Sequence, residues 1–390
     1  IYEEGLPELM EQYRDNLQYT TDYERAYRDA DVIFIGVGTP ERKDGSANLD
    51  YVHTVAEQIA ATARKPACVV VIKSTVPVGT NLEILELLRE KNAHGVAFEI
   101  ASNPEFLSQG TAVRDTLHAS RIVIGTQSEH ARQVLTQIYE TFGQPIVSTD
   151  LKSAEMIKYA SNDFLALKIS YINEIANLCE ITGANVEDVA RGMGFDARIG
   201  NKFLQAGIGY GGSCFPKDTK ALHWLANFHD YELKTVKAAI EVNEQQKLRL
   251  IKKARKYYRD LKNRKVAVLG LTFKPGTDDL RDAPSLQNIP LLLDMQADVY
   301  AWDPVGIPNF RKRIPDGLTY CNSIEEALDG AELCFILTEW EAVRRFPVEN
   351  FAKLMKRPVI LDGRNCYALE AMERQPVAYE SIGRRPVGKL

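Results

Sequence analysis

Short apolar segments that end in turn residues recur in two parts of the chain and constrain its fold more than any other feature. Between Ala30 and about Asp150 they are DVIFIGVG, ACVVVIKST, FEIASNP and RIVIGT. Beyond residue 261 they are KVAVLGLTF, ADVYAWDP, AELCFILTEW and PVILDGRN. Near-continuous apolar runs bounded by Gly, Ser, Thr, Asn or Pro are typical of buried parallel strands. The sequence therefore predicts an α/β fold with two doubly wound, Rossmann-like domains.

The middle of the chain is predicted to be helical. Residues 151–182 and residues 231–261 are two runs that contain neither Pro nor Gly. At ~1.5 Å per residue the second run would form one helix about 45 Å long, enough to connect two domains. We therefore expect an α/β domain over residues 1–150, a central helical domain with a long connecting helix over residues 151–260, and a second α/β domain over residues 261–390.

Charge and composition argue against several classes of protein. The 390 residues carry a net charge of −5, and the densest basic segments are KNRK and RKR, so a nucleic-acid partner gets little support. The longest apolar runs are too short to cross a bilayer, so no membrane partner is expected. The six cysteines lie far apart and form no C-x-x-C pair, which argues against a metal site and a disulfide scaffold. A cytoplasmic location is the resulting expectation.

Polar groups follow the predicted strands of the first α/β part. The segments VGTP and KSTVP place backbone amides and hydroxyls where a cofactor could lie, although for each motif taken alone ordinary turn chemistry is the better explanation. In SNPEFLSQG, the pair Asn103 and Pro104 fixes a turn and presents Glu105 just after a strand. A glutamate in that position is more often solvated than catalytic.

Lys158 and Asn162 lie four residues apart on the first predicted helix and so share one face. Their neighbours are largely apolar, so the pair could be partly desolvated and suited to binding an oxyanion. A lysine whose aliphatic stem packs on apolar surface while its ammonium reaches water is the ordinary alternative.

Cys214 lies in the segment GIGYGGSCFPKDTKAL. A buried structural thiol, half of a metal or disulfide pair, and a nucleophile with its own base are the three explanations. The GYGG run permits close backbone approach to a ligand, and Lys217 or Lys158 could favour the thiolate. Asp218 would be placed as a base if the segment becomes helical after Pro216.

The loop GLTFKPGTDDLRDAP follows a strand of the second α/β part and contains Lys274 and Arg281. Cations on a loop at a strand end suit a pyrophosphate. The same loop contains three aspartates, so a solvated charged loop remains a serious alternative. Arg364, in DGRN, repeats the pattern at another strand end.

Taken together, the motifs resemble those of the nucleotide-sugar dehydrogenases, the UDP-glucose/GDP-mannose dehydrogenase family. The matching segments keep the family's order from end to end: VGTP, KSTVPVGT, SNPEFL, EMIKYASNDFLALKISYINE, RIGNKFLQAGIGYGGSCFPKD, GLTFKPGTDDLRDAPS, TEW and DGRN. The resemblance implies an NAD-dependent enzyme that oxidises C6 of a UDP-hexose twice, through an aldehyde and a cysteine thioester. The segments GGSCFPKD and TEW favour UDP-glucose over GDP-mannose or UDP-N-acetylmannosamine as the substrate.

The same resemblance implies roles for individual residues. Cys214 matches the nucleophile, Lys158 and Asn162 would stabilise the oxyanion, and protons and the hydrolytic water would be managed by Asp218, Glu105 and Thr75. The implied cofactor contacts are Val37, Gly38, Thr39, Pro40, Ser74, Thr75, Val76, Gln109, Cys214, Lys217 and Arg281. The implied substrate contacts are Glu105, Phe106, Leu107, Lys158, Asn162, Arg198, Phe203, Gly209, Tyr210, Gly211, Phe273, Lys274 and Arg364. In the family the residue matching Arg198 reaches the neighbouring subunit's substrate, which implies a homodimer.

Two departures from the family pattern stand out. Gln109 occupies a position where relatives commonly carry Glu, which leaves a carboxylate role there in doubt. The family also opens with a Gly-rich β-α-β unit that seats the NAD pyrophosphate, and none precedes Ile1. We therefore expect an incomplete first domain that lacks two central strands, binds NAD poorly and folds poorly.

Three other functions remain open from the sequence. A hydroxyacid dehydrogenase of the 6-phosphogluconate type shares the α/β and helical plan but needs no cysteine nucleophile. A cysteine hydrolase would require a histidine partner, and none of the six histidines adjoins a matched motif. A non-catalytic binder of UDP-sugars would retain the last domain's nucleotide site without turnover.

Overall fold

The computed structural model describes residues 3–388. These residues divide into two compact units, the first formed by residues 3–162 with Lys220–Glu232 and the second by Asp163–Thr219 with residues 233–388. Two helices, α7 (Leu151–Thr182) and α9 (Phe215–Phe228), contribute residues to both units. Helix α7 spans all 32 residues of the first Pro- and Gly-free run, so its predicted bounds are confirmed.

The first unit is an α/β layer structure. Its strands are β1 (Val32–Ile35), β2 (Ala67–Ile72), β3 (Ala97–Ser102), β4 (Ile122–Gly125) and β5 (Ile146–Thr149). Its other helices are α1 (Leu6–Gln12), α2 (Tyr23–Tyr27), α3 (Asp50–Thr62), α4 (Thr80–Glu90), α5 (Ala112–Leu117) and α6 (Glu129–Glu140), with a 3₁₀ turn at Arg14–Asn16. Within the described residues the strands form one sheet in the order β1-β2-β3-β4-β5.

Alternation of side chains along β2 explains why the middle of this sheet is buried on both faces. Val70 and Ile72 belong to the hydrophobic cluster on one face, whereas Val69 and Val71 belong to the cluster on the other. Successive residues of a strand point to opposite faces, so a continuous apolar run supplies two cores at once.

The prediction of parallel strands is wrong for one neighbouring pair in the first sheet. Strand β3 pairs with β4 antiparallel and through one residue pair, Ser102 with Gly125. Side chains rather than a backbone ladder join these strands. Thr126 Oγ1 donates to the Ile100 carbonyl at 2.7 Å, and Asn103 Nδ2 donates to the Val123 carbonyl at 2.8 Å.

A buried carboxylate attaches the start of α4 to α7. Glu155 accepts hydrogen bonds from the Gly79 amide at 2.6 Å, the Asn81 amide at 2.8 Å and Asn81 Nδ2 at 2.7 Å. Gly79 and Asn81 lie at the amino end of α4, where helical N–H groups lack partners within the helix. Glu155 therefore caps α4 from a distant part of the sequence.

The second unit contains the other described strands and helices. Its strands are β6 (Lys265–Leu269), β7 (Asp298–Trp302), β8 (Leu318–Tyr320), β9 (Leu333–Ile336), β10 (Val359–Asp362) and β11 (Ala378–Glu380). Its other helices are α8 (Val186–Gly194), α10 (Lys234–Lys247), α11 (Arg249–Ala254), α12 (Ser285–Asp294), α13 (Ile307–Arg313), α14 (Ile324–Leu328), α15 (Glu341–Arg344), α16 (Val348–Leu354) and α17 (Leu369–Glu373). The paired strands of this sheet are parallel.

The second sheet has a topological switch point between β6 and β9. Its order over the described residues is β11-β10-β9-β6-β7-β8, so the chain winds outward from β6 in one direction and from β9 in the other. In open α/β sheets, ligands bind at the carboxyl ends of the strands beside such a point. The loops that follow β6 and β9 therefore define the expected ligand site of this unit.

The second Pro- and Gly-free run does not form the single long connecting helix that the sequence predicts. It contains α10 and α11, which are separated at Leu248, and α11 ends at Ala254. Asn288 Nδ2 donates to the Lys247 carbonyl at 2.8 Å and so bonds a group of the helical ladder. A side chain inserted into that ladder is a known cause of a helix break.

None of the helices within residues 3–388 combines the length and the apolar character that a membrane span requires.

Gly125→Ala tests the close approach of β4 to α7. A Cβ on Gly125 would lie 2.3 Å from Ala154 Cβ and 2.7 Å from the Asp150 carbonyl oxygen. We expect a loss of roughly 1–3 kcal/mol in the free energy of unfolding, measured by urea denaturation. As a control, Gly192→Ala places a methyl in α8 where no described atom lies within 4 Å, and should be neutral or stabilising. Equal stability of the two variants would contradict the packing argument.

Candidate active site

The carboxyl ends of β1 and β2 form an open edge in the first unit. Thr39 Oγ1 donates to the Thr75 carbonyl at 2.8 Å, and Ser74 Oγ donates to the Val37 carbonyl at 2.6 Å, so the two loops are tied together. No described atom lies within 4 Å of the position that a Cβ would take on Gly38. An exposed glycine backbone beside fixed hydroxyls fits the requirements of a dinucleotide.

The side chains next to this edge differ in how accessible they are. Pro40 is exposed and Thr75 is half-buried, whereas Val76 belongs to the core cluster beneath the loop. A contact between Val76 and a cofactor would therefore have to use its backbone.

Glu105 and Lys158 meet in the first unit. Lys158 Nζ donates to the Glu105 carbonyl at 2.6 Å and to Glu105 Oε1 at 3.1 Å, and the lysine side chain is only 3% exposed. The same ammonium lies 5.3 Å from the centre of the Phe106 ring, and Arg121 lies 3.8 Å from that ring. Lys158 is thus buried among partners, and the alternative of an ammonium reaching into water is wrong.

A second lysine, the half-buried Lys73, adjoins this pair and was missed by sequence reasoning. Lys73 Nζ donates to Asn103 Oδ1 at 3.1 Å, and Tyr139 OH donates to the same oxygen. Burial lowers the pKa of Lys73, while the nearby Glu105 carboxylate raises it. Lys73 precedes the matched Ser-Thr pair in KSTVP, which was the available signal. The network fixes Asn103, and with it the start of the loop that carries Glu105.

Cys214 directly precedes helix α9 in the second unit. The Asp218 amide donates to the Cys214 carbonyl at 2.8 Å, so the segment does become helical at this point and Asp218 follows one turn later. Lys217 Nζ lies 2.5 Å from Asp218 Oδ1, which pairs that lysine with the carboxylate rather than with the thiol. Arg281 is a cation whose charge interacts with Cys214.

Arg281 is held by a neighbouring carboxylate. Its Nε and Nη2 donate to Asp279 at distances between 2.6 and 3.0 Å, and this hydrogen bonding raises the pKa of Arg281. The Gly212 amide donates to the Arg281 carbonyl at 2.7 Å. The loop after β6 is therefore joined to the loop that carries Cys214, called the cysteine loop below.

The glycines before Cys214 make close contacts with protein atoms. A Cβ would meet Asn243 Oδ1 at 2.7 Å on Gly209, the Asp282 carbonyl oxygen at 2.5 Å on Gly211, and the Phe273 ring at 2.8 Å on Gly212. The sequence interpretation, that these glycines allow close approach to a ligand, is not needed to explain them. They allow the cysteine loop to pack against the loop after β6.

One guanidinium connects the loops at the carboxyl edge of the second sheet. Arg364 Nε donates to the Leu337 carbonyl at 2.9 Å, Nη1 to the Gly209 carbonyl at 3.0 Å, and Nη2 to the Phe273 carbonyl at 3.3 Å. Lys274 Nζ lies 5.6 Å from the centre of the Phe273 ring. The predicted residues of this edge are thus brought together at the switch point.

Arg198, a predicted substrate residue of the second unit, has no described contact with this cluster. The Arg198 side chain is 90% exposed and forms a bidentate pair with Asp196. In the first unit, Leu107 is exposed and its amide donates to Glu105 Oε2 at 2.6 Å.

Sequence reasoning also missed Asp163, which lies in the second unit beside matched residues. Its side chain is buried, and the pKa of its carboxyl is raised to about 8, chiefly by burial and further by the charge of Asp218. Helical spacing from the buried residues Ala166, Ser170 and Asn173 was the signal that could have placed Asp163 on the inner face of α7.

Groups of three or more His, Cys, Asp or Glu side chains arranged to hold a metal ion do not occur among residues 3–388.

The first unit has a sheet edge that suits a dinucleotide. The second unit has the cysteine loop beside the ligand-binding edge of its own sheet. Together these features are those of an α/β oxidoreductase. Models of the UDP-glucose/GDP-mannose dehydrogenase family match the NAD binding domain over residues 1–143, the central domain over residues 152–245 and the UDP binding domain over residues 267–369. The chain therefore belongs to this family, as its motifs predict, and it is an NAD-dependent oxidoreductase. The match over residues 1–143 does not support the expected lack of a Gly-rich unit or an incomplete first domain.

Individual relatives agree with this placement. The chain is 46% identical to UDP-glucose 6-dehydrogenase YwqF of Bacillus subtilis, covering 99% of this chain and 88% of the relative. It is 44% identical to UDP-glucose 6-dehydrogenase of Rhizobium meliloti, over 98% and 89% of the two chains. The solved structure of a UDP-glucose dehydrogenase from Pyrobaculum islandicum superposes with a TM-score of 0.91 at 36% identity, over 99% and 88%.

Arg364→Lys tests the convergence of loops on one side chain. Lysine cannot reproduce the fork of donors that reaches three carbonyls. We expect faster amide hydrogen exchange in the peptides that contain Gly209 and Phe273, measured by mass spectrometry. The control is Arg374→Lys, an exposed position in the same unit, which should leave both peptides unchanged. Unchanged exchange in the Arg364 variant would contradict the proposed tie.

Proposed function

We propose that this chain oxidises C6 of UDP-glucose twice with NAD and yields UDP-glucuronate. The observation that carries the proposal is the position of Cys214: it directly precedes α9, one turn before Asp218, and it interacts with Arg281. A thiol that interacts with a cation and precedes a carboxylate by one helical turn suits a nucleophile. The relatives named UDP-glucose 6-dehydrogenase support the choice of sugar nucleotide.

The first unit would hold the cofactor at its open edge. The residues proposed for this are Val37, Gly38, Thr39, Pro40, Ser74, Thr75 and Val76, with Gln109, Lys217 and Arg281 as further contacts. NAD, when bound, supplies the acceptor for the two hydrides that C6 loses. The exposed backbone at Gly38 supports this assignment because it leaves room for a phosphate.

Cys214 would act on the aldehyde that the first oxidation leaves. A bond forms between Sγ and C6, the carbonyl π electrons move to oxygen, and the thiol proton passes to Asp218. An aldehyde is a poor hydride donor, whereas the tetrahedral thiohemiacetal carries an oxyanion that promotes the second oxidation. The ion pair of Lys217 with Asp218 supports this step, since it orients the carboxylate.

Lys158 and Asn162 would stabilise the oxyanion. Lys158 is buried and already donates to two oxygens of Glu105, which supports a role as a fixed cation rather than a mobile one. A preorganised donor in a site that excludes water stabilises a developing charge more strongly than a solvated one.

Hydrolysis of the thioester would complete the reaction. A water oxygen bonds to C6, the S–C6 bond breaks, and Cys214 regains a proton. We propose that Asp218, Glu105 and Thr75 accept and return the protons in this step. The hydrogen bonds from Lys158 hold the Glu105 side chain in a defined place, which supports its inclusion.

The uridine diphosphate would lie at the switch point of the second sheet. The residues proposed for substrate binding in this unit are Phe203, Gly209, Tyr210, Gly211, Phe273, Lys274 and Arg364. The convergence of the loops on Arg364 supports a defined site there, and the matched UDP binding domain covers residues 267–369.

We further propose a homodimer in which α7 supplies part of the interface and Arg198 reaches the partner's substrate. Phe164, Tyr171 and Leu178 are 62%, 48% and 54% exposed and follow one another at intervals of seven residues. Such spacing places them in one stripe along the helix. Large exposed apolar side chains in a row favour contact with another chain. The three-domain division and a cytoplasmic location remain predictions.

Cys214→Ala tests the thioester route. With the thiol removed, the second oxidation has no tetrahedral donor, so the reaction should stop at the aldehyde and formation of the second NADH per sugar should fall by roughly 10³-fold or more. The unaltered chain should form two NADH per sugar, measured at 340 nm. Cys366→Ala, at another half-buried cysteine, is the matched control and should remain active. One NADH per sugar from the unaltered chain, or two per sugar from Cys214→Ala, would exclude the mechanism.

Tyr171→Asp tests the dimer. A charge in the middle of an apolar stripe would have to be desolvated on association, so we expect dimerisation to weaken at least about tenfold. Sedimentation equilibrium measures the change. Tyr51→Asp introduces the same change at an exposed position on α3, where 59% of the tyrosine is accessible, and should leave association intact. Equal association of both variants would contradict this interface.

A further inference from the structure

Asp163 is a buried acid without a hydrogen-bond partner in the described part of the chain. Asp163 is 4% exposed, and neither of its carboxyl oxygens has a hydrogen-bond donor within bonding distance. A buried carboxylate is costly unless it is paired or protonated. The proposed mechanism assigns Asp163 no role, so its presence requires another explanation.

The groups whose charges interact with Asp163 come from several elements of the second unit. Asp218 of α9 interacts with it through its charge, and Lys217 Nζ lies 2.5 Å from Asp218 Oδ1. Tyr210, in the loop before Cys214, interacts with Asp163 and also with Glu244 of α10. Of the two aspartates, Asp163 and Asp218, the ammonium group of Lys217 thus pairs with Asp218.

We propose that Asp163 holds a proton beside Asp218 and thereby acts as a positioning residue, leaving Asp218 as the single charged base of the Cys214 site. The inference rests on the proposed function of Asp218. Two carboxylates that share a buried site cannot both ionise readily, and one of them keeps its proton. The ammonium group of Lys217 pairs with Asp218, and a nearby opposite charge favours the ionised form of a carboxyl group.

The shared site makes the reaction sensitive to pH on the alkaline side. Burial and the charge of Asp218 raise the pKa of Asp163 to about 8. Below this pH Asp163 is neutral. Above it, a second negative charge appears beside Asp218, one helical turn from Cys214, and opposes the formation of an anion at the thiol.

Infrared spectroscopy tests the protonation without requiring activity. A protonated carboxyl has a carbonyl stretching band that a carboxylate lacks. The band should be present in the unaltered chain at pH 7, disappear on titration to pH 10, and be missing from Asp163→Asn. The comparison of variants is required because burial also raises the pKa of Asp362 and Glu155. Identical spectra of the unaltered chain and Asp163→Asn at pH 7 would overturn the proposal.

The pH profile of kcat tests the coupling to the reaction. In the unaltered chain kcat should fall above pH 8, by about tenfold at pH 9, because a group with a pKa near 8 is then about nine-tenths ionised. Asp163→Asn keeps a neutral polar side chain and should lose this fall. Glu174→Gln removes the same charge from an exposed position of α7 and should retain it. Equal alkaline profiles of Asp163→Asn and Glu174→Gln would refute the coupling.

Asp218→Asn provides a second route if Asp163→Asn fails to fold. Removing the neighbouring charge should move the midpoint of the Asp163 band to lower pH, while an unmoved midpoint would refute the shared site. The infrared result also distinguishes a failure of the proposed function from a failure of the buried acid pair. A titrating Asp163 band in a chain that does not turn over UDP-glucose would refute the proposed function and retain the buried acid pair.

Discussion

The structure of the second unit depends on backbone carbonyls that need donors at the carboxyl edge of its sheet. The carbonyls of Leu337, Gly209 and Phe273 belong to three separate loops, and all three accept from Arg364. A buried carbonyl without a donor costs about as much as a lost hydrogen bond. The guanidinium of Arg364 therefore supplies the hydrogen-bond donors for all three carbonyls. The loops that it joins lie beside the switch point. The ligand edge is consequently a fixed structure before any ligand arrives.

The position of the cysteine follows from that fixed edge. The glycines at 209, 211 and 212 allow its loop to approach Asn243, Asp282 and Phe273 more closely than any side chain would permit. The loop then enters α9 directly, which sets Asp218 one turn beyond Cys214. Packing and chemistry use the same residues here: the glycines that bring the loops together also determine where the thiol lies. A glycine run before a cysteine is therefore weak evidence for ligand contact when considered alone.

Local patterns in the sequence predicted the strands and helix α7. The helix break and the partners of the charged side chains depend on residues that are distant in the sequence. The eight apolar runs became strands, most of them buried on both faces as such runs indicate, and α7 has its predicted bounds. The break at Leu248 could not be predicted, because the Asn288 amide that bonds the Lys247 carbonyl comes from about forty residues away. The ion-pair partners of the charged side chains could not be predicted from the sequence either. Lys217 was a candidate to favour the thiolate, yet it pairs with Asp218, and Arg281 interacts with the thiol instead.

Asp163 shows why a site can work against the stability of its fold. Its pKa in the folded chain is about 8, far above the value of about 4 for an unfolded aspartate. The folded chain therefore binds more protons between these values, so folding stability falls as the pH rises through that window. Asparagine or an apolar side chain would remove this dependence. Asparagine would also leave the site without a second charge, so what an aspartate adds is titration, and the proposed coupling of the reaction to pH gives a reason for a titratable group there that packing alone does not.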